Sequence, residues 1–289
     1  MVEPERLRAD ITQPSATPGA VIASPASPLT DEQCDNARRG AAEASFIGAR
    51  IRAMSSNDER FVMPLYSAAE AARHLDVPAS MFRTWAHGYR NSPRGRPPVV
   101  GDPIVTTVPF DSGVSIPFIG LAEGYVLAAI RRAGVPLQRI RPALDRLRDE
   151  FGIKHVLASR KLFTDGAEVL YDYAEHEGDT PEARSARELV VVRNDQRVFN
   201  EIVDSYLQRI DFHDDPWARV IHLPKYRQAD VVVDLKRSFG APIFAHGGVR
   251  LETVLAAFKR GAGIDELINE YGVSEADILD VVRVHTDAA

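Results

Sequence analysis

The chain has a single cysteine, Cys34, among its 289 residues. One thiol cannot close an intramolecular disulfide, and zinc sites built on paired cysteines are excluded. No run approaches the ~18 apolar residues needed to cross a bilayer. The start, Met1-Val-Glu-Pro-Glu, is acidic where a secretory leader would be basic. These absences point to a cytoplasmic protein with no membrane contact. Catalytic signatures are missing as well: there is no Gly-x-Ser-x-Gly, no His-Glu-x-x-His and no dinucleotide fingerprint, and His246-Gly247-Gly248 lacks the Lys-Ser/Thr ending of a phosphate loop. His213-Asp214-Asp215 has no partners at a recognisable spacing, and Asp-Asp-Pro is an ordinary turn signal. The expectation is a non-enzyme with no catalytic residue, metal or cofactor.

What is present is ordinary globular material, 45% hydrophobic and 26% charged, enough for a core without covalent staples. The net charge of −6 conceals an asymmetry. Residues 63–150 hold 11 Lys and Arg against 8 Asp and Glu, whereas residues 151–289 hold 17 against 24. A basic part followed by an acidic one suggests two different partners, a polyanion and a polypeptide.

Residues 1–60 are rich in Ala, Pro and Ser without sustained apolar periodicity and are expected to form a disordered extension. Structure begins at Phe61. Ser67–Leu75 reads as a helix, with Ser67 and Glu70 at capping-box spacing. Asp76-Val77 turns the chain, and a second helix covers Pro78–His87 before Gly88. Arg90–Gly101 reads as a loop, and Ile104–Pro109 with Val114–Phe118 as a strand pair around Asp111-Ser112-Gly113. Helices follow at Ile119–Ala133 and Pro136–Phe151, ended by Gly134 and Gly152. The second carries Arg139, Arg141, Arg146 and Arg148, over an apolar face suited to dimer packing.

From Lys161 the pattern suggests strands: Lys161–Tyr173 around a Thr164-Asp165-Gly166 turn, then Glu188–Val192, Arg197–Val203, Arg219–Leu223 and Asp230–Leu235, with Gly178–Arg184 a flexible loop. Leu251–Arg260, Ile264–Tyr271 and Ser274–His285 read as three short helices.

In Leu65–Tyr89 the small Ala71 followed by Leu75, Val77, Phe82 and Trp85 suits two helices crossing at a wide angle. The outward face of the second helix then carries Ser80, Arg83, Thr84 and His87. In a major groove the first turn would reach base edges while Arg83 meets a phosphate. Arg90, Arg94 and Arg96 follow, where a flanking phosphate would lie. Val77, Ser80, Phe82, Arg83 and Trp85 match the Val-Ser-x-Ser-x-Leu-Arg-x-Trp/Tyr signature of the MerR-like winged regulators, and Leu65–Phe151 resembles them in layout. Pro78 stands where that family usually has a Ser or Thr cap, and Ala86 replaces a common Glu.

Phe239-Gly-Ala-Pro, Gly248-Val-Arg250, the apolar helix after Leu251, Tyr271-Gly-Val273 and Asp277-Ile278 resemble the uncharacterised domain family numbered 433, found in VapB-like antitoxins encoded beside PIN-type ribonuclease toxins. The resemblance covers about 231–285. It implies that this region blocks such a toxin, with Phe239, Phe244, His246 and Arg250 as contact residues. Arg250 suits the clustered Asp residues of a PIN nuclease, since guanidinium binds carboxylate through paired hydrogen bonds. The acidic helix from Ser274 through Asp280 would repel phosphates, which favours a protein partner there.

The expected fold is therefore α+β: a MerR-like winged helix-turn-helix at 61–152, a β-rich middle region at 153–230, and a C-terminal helical antitoxin-like module of three helices at 231–289. The leading functional reading is a homodimeric antitoxin that holds a PIN-type toxin and represses its own operon by binding operator DNA. A stand-alone MerR-like regulator and an adaptor binding only proteins are the alternatives.

Overall fold

A computed structural model describes residues 58–92, 98–111, 113–193 and 196–286. Nearly all of the expected disordered extension lies outside the described residues, as do Arg94 and Arg96.

A short helix, α1 (Glu59–Val62), precedes the helix pair. α2 (Ala68–His74) begins at the expected capping box: the Ser67 hydroxyl accepts from Glu70 N at 3.2 Å, and the Glu70 carboxylate accepts from Ser67 N at 2.8 Å. Asp76 turns the chain at φ +54, and α3 (Ala79–His87) ends at Gly88, φ +73. The ends of the segment read as an arginine-rich loop pair antiparallel, as β1 (Tyr89–Asn91) and β2 (Val99–Gly101). Two glycines permit it. A Cβ on Gly88 would lie 2.4 Å from the Gly101 carbonyl, and one on Gly101 would lie 2.1 Å from the Tyr89 ring. The expected strand pair around residues 111–113 is present but shorter, as β3 (Val108–Phe110) and β4 (Gly113–Ser115).

α4 (Phe118–Arg132) is the axis of the molecule: every residue from Phe118 to Ile130 is buried, the signature of a helix surrounded by other elements. The helix pair docks where α4 has no side chain. A Cβ on Gly124 would stand 2.5 Å from the Phe82 ring and 3.1 Å from Leu75 Cδ1. α5 (Leu137–Phe151) buries Ile140, Ala143, Leu144 and Leu147 within the chain's own core. The face considered for dimer packing is thus already occupied. Arg146 and Arg148 pair with Glu150 and Asp145 on its outer side.

After a 3-10 turn at Val156–Ala158 the structure departs from the strand reading. Residues 160–176 form one helix, α6 (Arg160–His176), capped by Ser159. Leu162, Gly166, Leu170 and Ala174 are its buried stripe, a four-residue repeat that fits a helix and not a strand. Gly166 is no turn: a Cβ there would meet Leu162 at 2.9 Å and Phe199 at 3.2 Å, so glycine serves close packing. The expected loop at 178–184 becomes α7 (Pro181–Glu188), with Thr180 as cap and Pro181 in its first turn. β5 (Val190–Arg193) and β6 (Gln196–Phe199) pair antiparallel. The strand expected to reach Val203 ends at Phe199, because the Asn200 side chain accepts from Val203 N at 3.0 Å and starts α8 (Glu201–Leu207).

The remaining strands form a four-stranded antiparallel meander of β7 (Ile210–Asp211), β8 (Val220–His222), β9 (Val231–Asp234) and β10 (Ile243–Phe244). The middle region is therefore mainly helical rather than β-rich, and its sheet runs across the expected boundary at 230/231. α9 (Leu251–Lys259), α10 (Ile264–Tyr271) and α11 (Glu275–Thr286) stand where three helices were expected.

Ion pairing joins the start of the described chain to the segment between β7 and β8. Arg60 is 5% exposed, and its guanidinium meets both Asp215 carboxylate oxygens at 3.1 Å, Asp58, and the carbonyl of Ala218 at 3.2 Å. Asp215 also accepts from Arg219 at 2.7 Å and from Trp217 N at 2.9 Å. The His-Asp-Asp cluster thus supplies a structural anchor, the long-range carboxylate for a buried arginine.

Candidate nucleic-acid and partner interfaces

α3 turns two faces in opposite directions. Phe82, Trp85 and Ala86 are buried against the core, while Ser80, Arg83 and His87 are exposed. Positions 80, 83 and 87 fall on one helical stripe. Thr84 is half-buried, and its hydroxyl donates to the Ser80 carbonyl at 3.0 Å. Among the described residues Arg83 and His87 have no ion-pair partner. Arg90 is exposed on β1.

The helix pair is held by groups the sequence reading missed. Arg132, at the end of α4, reaches the intervening turn and donates to the Asp76 carboxylate at 2.9 Å and the Asp76 carbonyl at 3.1 Å. The Tyr206 ring lies under its guanidinium. Buried Glu123 accepts from Thr106 N at 2.6 Å and contacts His155 Nδ1 at 3.1 Å, fixing the segment after β2. His74, on α2, packs edge-on against Tyr66. Burial, reinforced by the charges of Arg73, Lys225 and His285 against the opposing Glu70, lowers its pKa to about 4, so the ring is neutral at pH 7.

The partner candidates lie after β9. Ser238, Phe239 and Gly240 adopt φ +55, +52 and +78 in succession. A left-handed Phe is strained, yet this one is 74% exposed. His246 and Arg250 are exposed, and among the described residues Arg250 forms no ion pair with Glu252, Asp234 or another carboxylate. Phe244 is different: at 2% exposure it belongs to the core under β10 and offers no surface. Arg237, not foreseen, donates to the Ala245 carbonyl at 3.1 Å beside Gly248 and braces the loop.

The acidic third helix also changes meaning. The buried Asp280 carboxylate accepts from the backbone N–H groups of Arg227, Gln228 and Ala229 at 2.7, 2.8 and 3.1 Å, and from Arg283 at 2.5 Å. Burial raises its pKa, but these four bonds outweigh it and hold the carboxyl below its usual range. Asp277 pairs with the Ser274 hydroxyl at 2.7 Å. Two acids of this helix are therefore engaged within the chain.

Residues 64–144 match the family model described as "Putative DNA-binding HTH domain", and residues 231–283 match the protein family of unknown function numbered 433. The "Putative antitoxin VapB45" of Mycobacterium tuberculosis is 47% identical over 226 residues, which cover 77% of this chain and 94% of the relative. This chain belongs to the VapB-like antitoxin family. Another relative in the same organism, "Uncharacterized protein Rv2308", is 24% identical over 75% of this chain and 88% of its own length. The crystal structure of Rv2018 from M. tuberculosis superposes with a TM-score of 0.68 at 45% identity, covering 77% of this chain and 99% of that one. The first matched segment runs from before α2 into α5, and the second from β9 into α11. Among the described residues no helix is long and apolar enough to cross a membrane.

Proposed function

We propose that this VapB-like chain is the non-enzymatic, cytoplasmic antitoxin of a toxin–antitoxin pair. The observation that carries the reading is the pairing, in one chain, of two separate outward surfaces: the Ser80, Arg83 and His87 stripe on α3, and the exposed Phe239, His246 and Arg250 after β9. α3 lies in the major groove of operator DNA, with the β3–β4 pair as a MerR-like wing and Arg90, Arg94 and Arg96 meeting flanking phosphates. The likeness to a named antitoxin and the match to a DNA-binding model support both halves.

The second surface neutralises a PIN-type ribonuclease. Arg250 faces the nuclease's metal-holding carboxylates, and Phe239 is the apolar anchor. Autorepression follows by linkage: partner occupancy and operator affinity change each other equally. A two-fold assembly would match a palindromic operator, and it must use a surface other than the buried face of α5.

Co-expression with the product of the adjacent reading frame tests the reading. A stable complex and relief of growth arrest are expected. Free nuclease beside excess antitoxin, with arrest persisting, would overturn the antitoxin half.

A further inference from the structure

A groove of about 440 Å³ runs beside the recognition face, between α3, β1 and the joined ends of α4 and α5. Its polar lining is Ser80 and Thr84 from α3, Tyr89 from β1, and Arg131, Gln138 and Arg141 from α4 and α5, among apolar side chains. No carboxylate side chain lines it. The side chains of Arg131 and Gln138 are exposed and, among the described residues, have no hydrogen-bonded or ionic partner. Arg141 is half-buried. One of its terminal nitrogens donates to the Asp102 carbonyl at 2.7 Å, and its guanidinium lies 6.0 Å from the Tyr89 ring centre. Its Nε is buried without a partner. An N–H shut away from water without an acceptor is costly, and buried polar groups are rarely left so, which marks this guanidinium as held for a purpose other than packing.

We infer that this groove is a seat for a DNA backbone phosphate, held by Arg131, Gln138 and Arg141, which α4 and α5 contribute beside the Ser80 end of the base-reading stripe on α3. The inference rests on the DNA-binding reading above and adds residues to it. Scale supports the placement. A major groove is ~12 Å wide, and packed helices are ~8–10 Å apart. A helix end lying across a groove from α3 therefore stands where the bordering phosphates run. Arg131 and Gln138 reach the anion directly. Arg141, pinned by Asp102 and Tyr89, supplies the fixed donor that sets its position. Phosphate contacts of this kind position the protein without reading sequence.

The test uses the full chain with two duplexes of equal length, one from the region upstream of its gene and one scrambled, titrated at several salt concentrations. Arg131→Ala with Gln138→Ala should weaken binding to both duplexes by the same factor. The slope of log K against log salt should flatten by about one, so the affinity ratio between about 50 and about 200 mM salt shrinks about 3-fold. Arg146→Ala, on the far side of α5 and paired to Glu150, should leave the slope unchanged. Unaltered thermal melting of the double variant separates lost contact from lost fold. If melting does change, Arg131→Gln alone serves, with the same slope expected. A wild-type slope in a well-folded variant would overturn the phosphate seat while leaving DNA binding by α3 intact. No binding of the wild type to either duplex would overturn both.

Discussion

The hydroxyl of Tyr66 donates to the backbone carbonyl of Gly240 across 2.6 Å. Tyr66 immediately precedes the capping Ser67 of the helix pair, and Gly240 closes the left-handed turn that displays Phe239. One hydrogen bond thus ties the mouth of the DNA-binding unit to the strained turn of the proposed partner surface. A Cβ on Gly240 would stand 2.7 Å from the same hydroxyl, so the approach itself requires glycine.

Tyr66→Phe should leave the Gly240 carbonyl without its donor and cost about 1–2 kcal/mol, read as a lower urea midpoint. It should also shrink the effect of bound partner on DNA affinity, measured by titrating operator duplex with and without the co-expressed nuclease. Unchanged coupling would show that the linkage runs elsewhere.

Gly124→Ala should push Phe82 and Leu75 off the central helix and cost about 1–3 kcal/mol by overpacking. The recognition helix is the element displaced, so DNA affinity should fall with the melting temperature. A variant as stable as the parent would refute the docking geometry.

Two titrations bear on stability in opposite directions. Burial pushes Asp215 up, but the hydrogen bonds from Arg60 and Trp217 and the charges of Arg60 and Arg219 outweigh it and hold the carboxyl below its usual range. A depressed pKa stabilises the fold above the unfolded value of about 4, and this contribution is lost as pH falls through the folded value. Asp215→Asn should therefore lower stability at neutral pH, by about 3–5 kcal/mol for a broken buried pair, and should flatten the decline in acid. Chemical denaturation at pH 7 and below 4 checks both.

His222 behaves in the reverse sense. Burial pushes it down, yet hydrogen bonds to Asp230 at 2.6 Å and Asp211 at 3.2 Å outweigh this and raise it above its ordinary value. Its contribution is complete below the unfolded value of about 6.5 and fades as pH rises through the folded one. His222→Gln should remove a loss of melting temperature between neutral and mildly alkaline pH. The same loss in both proteins would exclude this cluster as its source.

Some of this was readable in the chain itself. Ser67, Glu70, Gly88 and Gly152 punctuate helices by local chemistry, and each stands where its local rule put it. Lys161–Tyr173 misled because Thr-Asp-Gly is a strong turn signal, whereas Gly166 is there to let Phe199 approach, a contact 33 positions away. The β1–β2 pairing was hidden because its glycines answer to each other and to Tyr89 rather than to neighbours in sequence. The outward placing of Ser80, Arg83 and His87 followed from helical spacing alone. The burial of Phe244 did not, because an aromatic in a glycine-rich loop looks exposed until β10 pairs with β9. Arg132, Arg141, Asp215 and Asp280 owe their roles to partners far along the chain, and no local pattern announces them.

The central claim is that the exposed face of α3 meets DNA. Salt-dependent binding of the upstream duplex by the wild type and by Arg83→Ala measures it most directly. Arg83→Ala should bind every sequence more weakly, with a salt slope smaller by about one, while Ser80→Ala should change which sequences are preferred. Equal affinity and equal slope for Arg83→Ala and the wild type would contradict it.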